Sequence, residues 1–245
     1  MTLRNGDRGL AVRQLQAQLN QQGAALRADG DFGDVTEAAV AAYQRKVGLV
    51  ADGVAGSKTL AALAGADLSR LLKQKDLQLA ADRLGAPVAR IMAVARLQAN
   101  GMTEAEADAQ AAKYPALVNR LTGGYAGGTA EHQRLAQAKQ IHTASALESA
   151  SWGLFQIMGY HWERLGYHDA QHFADTMALS EAAQLDAFVS FIEADPALHK
   201  ALKARNWKAF AKGYNGPAYA KNLNDVKLSR AYAQFAGEHA QEQAA

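Results

Sequence analysis

The chain has 245 residues, no cysteine and nearly balanced charge, with 26 Lys+Arg against 24 Asp+Glu. That length holds one large domain or two smaller ones, and 49% apolar with 20% charged residues is globular composition. The absence of thiols excludes a disulfide framework, a Cys-ligated metal and a cysteine nucleophile, and a net charge of +2 excludes a general nucleic-acid binder.

The N-terminus, Met1 to Gly9, has no apolar stretch of the secretory type. No run approaches the ~18 apolar residues of a membrane span. The expectation is a chain made in the cytoplasm without a signal peptide, with no membrane span and no cofactor, and monomeric. Val12, Leu15 and Leu19 then recur at helical spacing. An internal repeat follows. Ala28-Asp29-Gly30-Asp31-Phe32-Gly33-Asp34-Val35-Thr36 is echoed, 23 residues on, by Ala51-Asp52-Gly53-Val54-Ala55-Gly56-Ser57-Lys58-Thr59. Each copy runs into an apolar helix, Glu37–Val40 and Leu60–Leu63. The pattern is a turn feeding a helix: glycines supply positive φ, and Thr36 and Thr59 are expected helix N-caps. Asp34 with Glu37 also fits a capping box. Val40, Tyr43 and Val47 continue the helical spacing, so the segment reads as three helices and two Asp-Gly turns.

With Gly6-Asp7-Arg8-Gly9, Asp29-Gly30-Asp31-Phe32-Gly33, Ala42-Tyr43-Gln44 and Asp52–Gly56, this segment resembles the peptidoglycan-binding domain type 1 family. The resemblance implies wall binding, with Asp29, Gly30, Phe32, Gly33, Tyr43, Asp52 and Gly53 as its residues. The short junction Ala64–Asp67 sets the expected domains at 1–66 and 67–245.

The second domain reads as mainly α. Pro87 fits the first turn of a helix through Val94, and Thr103–Glu106 is a capping box for another, interrupted at Tyr114-Pro115. Gly123–Gly128 is a loop. Leu185, Phe188, Val189 and Ile192 form a helical stripe ended by Asp195-Pro196, and almost nothing alternates with period two.

The most unusual stretch is Ser149-Ala150-Ser151-Trp152-Gly153-Leu154-Phe155-Gln156-Ile157-Met158-Gly159-Tyr160-His161-Trp162. Aromatic rings beside a few polar groups fit either a sugar cleft or an aromatic core. Downstream, Gly213–Tyr219 holds an Asn-Gly-Pro turn between tyrosines. Together these motifs resemble the lysozyme-like superfamily, and more closely the phage and prophage N-acetylmuramidase family, from Tyr114 to Arg230. The whole chain therefore resembles a modular endolysin: a three-helix wall-binding domain before a larger α-helical lysozyme-like domain. The resemblance implies peptidoglycan as substrate and partner, cleavage of the β-1,4 bond of its glycan strand, and action at the cell wall after release. It also implies a cleft lined by Trp152, Phe155, Gln156, Tyr160, Tyr214 and Asn215, with Ser151 orienting the backbone.

The chemistry needs a carboxylic acid. The family carries it as a Glu at the end of an early helix, but here Gln98 stands in that register, and the family's second Glu has no counterpart. Either the segment bearing both is missing beside Val94 or the acid is replaced in place. Glu148 is the best substitute carboxylate, although Ser145–Glu148 reads as a capping box that would occupy it. Glu131, after the Gly-rich loop, is the next, with Thr129 as a helix cap. His168 and His172, with Asp169 between, read as surface histidines rather than a metal site. No Gly-x-Ser-x-Gly or Walker sequence occurs. Two function classes stay open: an N-acetylmuramidase, and a non-catalytic peptidoglycan-binding protein derived from one. Between Lys200 and Arg230 stand eight cations and one acid, Asp225. This stretch is either a solvated basic face or a surface for the anionic envelope.

Overall fold

A computed structural model describes residues 2–98 and 130–242. The expectations at Thr103–Glu106, Tyr114-Pro115, Gly123–Gly128 and Thr129, and the side chain of Glu131, lie outside the described residues. The chain divides into two compact units, Met1–Leu77 and Gln78–Ala245.

The first unit contains α1 (Leu10–Gln21), α2 (Asp34–Lys46) and α3 (Ser57–Leu63). Val12, Leu15 and Leu19 of α1 pack against Val40 and Tyr43 of α2, with Phe32 and Ala55 from the turns completing the core. The start of the chain is stitched to both turns by backbone pairing. Leu3 and Ala55 exchange N–H···O bonds at 3.1 and 2.8 Å, and Phe32 N–H donates to the Asp7 carbonyl at 2.9 Å.

The turns themselves are held from inside by two buried glutamines. Gln16 Oε1 accepts from Gly30 N–H at 2.9 Å, and its Nε2 donates towards Asp29, the Asp31 carbonyl and Thr36 Oγ1. Gln44 does the same in the second copy, accepting from Gly53 N–H at 3.0 Å and donating towards Asp52, the Val54 carbonyl and Thr59 Oγ1. Thr36 and Thr59 are therefore not N-caps. They are buried inside α2 and α3, whose caps are Gly33 and Gly56, and their hydroxyls face the glutamine amides. Asp34 and Glu37 form no capping box either, since both accept from Asn5 Nδ2, at 2.8 and 2.7 Å. Gly30 and Gly53 sit at φ +83° and +69°, and a Cβ on Gly30 would press on the Gly9 carbonyl.

The division at Leu77 falls inside α4 (Gln74–Leu84), and in the second unit α5 (Val88–Gln98) precedes α6 (Ala130–Ile141) and α7 (Thr143–Ser149). A two-stranded hairpin follows, β1 (Ser151–Trp152) and β2 (Ile157–Met158), antiparallel with Ser151 opposite Met158. A short 3-10 turn (Gly159–His161) leads to α8 (Ala170–Leu179), α9 (Glu181–Glu193), α10 (Pro196–Lys203), α11 (Trp207–Asn215), a second 3-10 turn (Pro217–Ala220) and α12 (Asn224–Glu242). The expected stripe Leu185, Phe188, Val189 and Ile192 is the buried face of α9. Asp195 caps α10 with Pro196 in its first turn, its carboxylate accepting from Ala197 and Leu198 N–H. The carbonyls at the end of α10 are taken by Arg90, whose guanidinium donates to Leu202 and Lys203, while α5 lies along α12.

Replacing Gln16 or Gln44 by leucine keeps the volume but orphans a buried glycine N–H and takes one donor from its neighbouring carbonyl. Each change is expected to cost about 2–3 kcal/mol. Thermal and urea denaturation of the full chain would read it as an earlier first transition. An unchanged transition would show that the amides do not hold the turns.

Candidate active site

The sequence of α7 to α8 builds one local assembly. His142 caps α7, its Nδ1 accepting from Ser145 N–H at 3.2 Å. The Ser145–Glu148 capping box is thereby corrected: α7 begins at Thr143, so Glu148 lies in its last turn, clear of the N-terminal N–H groups. Its half-buried carboxylate instead accepts the indole N–H of Trp162 at 3.0 Å.

The hairpin is fastened to the end of the same helix. Trp152 Nε1 donates to the Leu147 carbonyl at 3.0 Å, and Gly159 N–H donates to the Ala150 carbonyl at 2.8 Å. Gly159 lies so near α7 that any Cβ there would collide with the Leu147 carbonyl oxygen. Trp152 and Trp162 then pack on Leu147, Ala170 and Ala174. Glu148 thus sits at the root of the hairpin, between two tryptophans whose N–H groups are both committed.

The hairpin tip is a closed hydrogen-bond circuit. Gln156 adopts φ +52°, Ser151 Oγ donates to its Oε1 at 2.7 Å, and its Nε2 donates to the Gly153 carbonyl at 2.9 Å. From α9, Gln184 Oε1 accepts from Leu154 N–H at 2.9 Å while its Nε2 donates to the Met177 carbonyl at 2.8 Å. Phe155 is fully buried and stacks on Phe188 with ring centroids 4.3 Å apart. Its carbonyl accepts from Tyr214 OH at 2.7 Å, and Tyr214 stacks on Phe210. Tyr160 lies half-buried against His161, whose ring meets Phe191 edge-on at 4.9 Å.

The structure thus gathers the expected residues Ser151, Trp152, Phe155, Gln156, Tyr160 and Tyr214 around one hairpin but spends most of their polar atoms inside it. Ser151 and Gln156 bond each other, Phe155 belongs to the core, and Tyr214 anchors the tip to α11. Asn215, next to it, keeps a buried Oδ1 with no hydrogen-bond partner, and Gln98 of α5 keeps a buried Nε2 in the same condition. Such atoms carry a cost of about 1–3 kcal/mol each. Gln184, which braces the tip, was not singled out from sequence. Its one sequence signal is position, directly before Leu185 at the start of the α9 stripe.

In the first unit, the residues expected to bind the wall are chiefly builders of the turns. Phe32 and Tyr43 are in the core, Gly30 and Gly53 are buried, Gly33 is a helix cap, and Asp29 and Asp52 accept from the glutamine amides. Two backbone and side-chain hydrogen bonds, from Asp31 and Gln16, hold the exposed Asp29 carboxyl below its ordinary value. A pocket of about 350 Å³ is lined by Leu19 of α1, Leu26 after it, and Val35, Ala39, Tyr43 and Lys46 of α2. His168 bonds Asp169 at 2.9 Å, and Asp169 caps α8 through His172 N–H; no metal-binding group of three appears among the described residues.

A model of the N-acetylmuramidase family matches residues 90–236, and one described as putative peptidoglycan binding domain matches residues 8–63. The chain is similar to the crystal structure of a Burkholderia AP3 phage endolysin, at 49% identity and a TM-score of 0.79, covering 96% of this chain and 99% of that one. It is 49% identical over 61 residues to a zinc D-Ala-D-Ala carboxypeptidase of Streptomyces albus G, covering 24% of each chain. It is 41% identical over 76 residues to a probable N-acetylmuramoyl-L-alanine amidase of Bacillus licheniformis, covering 30% of this chain and 22% of that protein. The chain therefore spans about a quarter of the length of these curated relatives.

Burial pushes the Tyr214 phenol far above its ordinary value of 10.0, and Tyr160 and Tyr167 move the same way. The unfolded chain releases these protons near pH 10 while the folded one retains them, so stability holds below pH 10 and falls as pH rises beyond it. Ultraviolet titration is expected to show phenolate appearing only as the second unit unfolds for Tyr214. Tyr214→Phe should flatten part of that loss and cost about 1–2 kcal/mol at neutral pH, from the orphaned Phe155 carbonyl.

Proposed function

We propose that this chain, which belongs to the N-acetylmuramidase family, is a peptidoglycan-degrading endolysin with its own wall anchor. The observation that carries this reading is the presence in one chain of a muramidase match over 90–236 and a peptidoglycan-binding match over 8–63. Residues 1–66 hold the wall, and residues 67–245 act on the glycan strand. Tethering raises the local concentration of glycan before the second domain, a gain of effective concentration rather than of new contacts.

Cleavage of a β-1,4 glycosidic bond passes through a positively charged, oxocarbenium-like transition state. Glu148 is the carboxylate assigned to it. The indole N–H of Trp162 donates to one carboxyl oxygen, and the other carries the proton given to the leaving glycosidic oxygen, which is regained from the water that attacks the anomeric carbon. Trp152 and Tyr160, both half-buried and both following Glu148 in the chain, offer ring surface to sugar C–H faces. The Ser151–Gln156–Gly153 circuit and the Gln184 brace keep the hairpin in one shape while the sugar binds.

The wall grip is placed in the pocket lined by α1 and α2. Its apolar lining and the Lys46 ammonium suit the alanine-rich, carboxylate-bearing stem peptides of peptidoglycan.

A second reading rests on the absence of the acid that the family resemblance calls for. Either the segment bearing it is missing beside Val94, or Gln98 replaces it, and an amide donates no catalytic proton. On that reading the chain binds sacculi and cleaves nothing.

Incubation with purified sacculi separates the two. The first reading expects soluble fragments with new reducing ends; anhydro-muramyl ends would mark a lytic transglycosylase outcome. Glu148→Gln should lower fragment release at least a hundredfold while leaving sedimentation with sacculi unchanged. Pelleting without fragments by the unaltered chain supports the binder, and full activity in Glu148→Gln removes Glu148 from the chemistry.

The wall pocket is tested separately. Ala42→Glu with Lys46→Gln, both at exposed positions, should weaken sedimentation about fivefold or more without lowering the melting temperature. Unchanged sedimentation would place the wall grip elsewhere.

A further inference from the structure

The start of α12 carries a face that nothing in the second unit uses. Leu223, Val226, Lys227 and Arg230 recur at helical spacing and all point outward, with Leu223 56% and Val226 38% exposed. The opposite face, Leu228, Ala231 and Phe235, is buried. Lys221 stands just before the stripe, and Lys200, Lys203, Lys208 and Lys212 are exposed on α10 and α11 of the same unit. Within 200–230 the single acid is Asp225, whose carboxylate accepts the N–H of Val226.

Leu223 is the telling residue. It sits at φ +54°, in the left-handed region that favours glycine, with its N–H donating to the Ala220 carbonyl and its carbonyl accepting from Lys227 N–H. The turn would form more easily with glycine there. A leucine at such a corner, 56% exposed, offers its outer surface to an apolar neighbour outside the chain.

We propose that this face docks on an anionic phospholipid bilayer, with Leu223 and Val226 entering the boundary of headgroups and acyl chains and Lys221, Lys227 and Arg230 meeting lipid phosphates. A short apolar tip within a field of cations is the pattern of interfacial lipid binding. Among the described residues no helix is long and apolar enough to cross a membrane, so the contact is a surface one. The exposed Leu223 and Val226 among the cations favour lipid over a peptide or nucleic acid. The stripe offers neither a pocket for a side chain nor an aromatic ring for a base.

The test is cosedimentation of the full chain with vesicles of phosphatidylcholine and phosphatidylglycerol mixed about two to one, and with phosphatidylcholine alone. The chain is expected to bind the mixed vesicles, to bind the neutral ones far less, and to be released by salt. Leu223→Gly preserves the turn, and Lys227→Gln with Arg230→Gln changes only exposed positions. Each should weaken binding about fivefold or more. Neither should alter thermal melting or the sedimentation of the chain with lipid-free sacculi, so this result stands apart from the wall-binding and lytic readings. Equal binding to neutral vesicles, full binding by both variants, or capture by lipopolysaccharide aggregates but not by phospholipid vesicles would overturn the assignment.

Discussion

Both units depend on glutamine amides standing in for a backbone ladder. A mainly helical chain makes its tight turns without sheet neighbours, yet every buried N–H and C=O in those turns still needs a partner. Gln16 and Gln44 supply acceptor and donor together to the two Asp-Gly turns of the first unit. Gln184 and Gln156 do so for the hairpin tip of the second. An amide carries both halves of a peptide group on a flexible stem, so it can close a turn that the backbone alone leaves open. In the first unit the amides are sealed inside the core, where loss of one partner is costly and the turn geometry is fixed as a result.

At the hairpin the same device has a chemical consequence. The tip is locked by Ser151, Gln156 and Gln184, and the root is locked to α7 through Trp152 and the close approach of Gly159. Glu148 lies at the root end, in the last turn of α7, and is itself held by Trp162. A carboxylate positioned beside a rigid hairpin does not need to be reoriented when substrate arrives, which is where preorganised electrostatic stabilisation has its advantage. The motif therefore fixes the element beside Glu148, the carboxyl group proposed for the chemistry.

Much of this was legible in the sequence and some was not, for reasons that can be located. Val12, Leu15 and Leu19, and Leu185 through Ile192, declared their helices because apolar spacing is set by the core face itself. The two Asp-Gly turns were visible as a repeat, but their glutamines were not. Gln16 precedes Asp29 by 13 residues whereas Gln44 precedes Asp52 by 8, so the repeat of the turns does not carry the repeat of the amides. Thr36 and Thr59 were misread as caps because a hydroxyl before an apolar helix has two uses, and here the helix begins two residues earlier. His142 was passed over because an imidazole is not among the usual capping side chains. The aromatic stretch announced an assembly, but composition did not separate a ring facing sugar from one buried against Phe188.

That last ambiguity bears on how far a family motif reaches. Phe155, Gln156 and Tyr214 are the residues by which the chain resembles glycan-cleaving enzymes, yet each is occupied in building the hairpin. The tip would therefore form whether or not an acid stands nearby, since none of its bonds passes through a carboxylate. Fold and chemistry are consequently separable in this domain. A chain can retain the hairpin, the stacked Phe155–Phe188 pair and the Tyr214 anchor whatever stands at the end of the early helix. What the second domain can do to a glycan then turns on whether a carboxylate reaches the scissile bond, and the proposed one, Glu148, is held at the end of α7 by Trp162, beyond the hairpin.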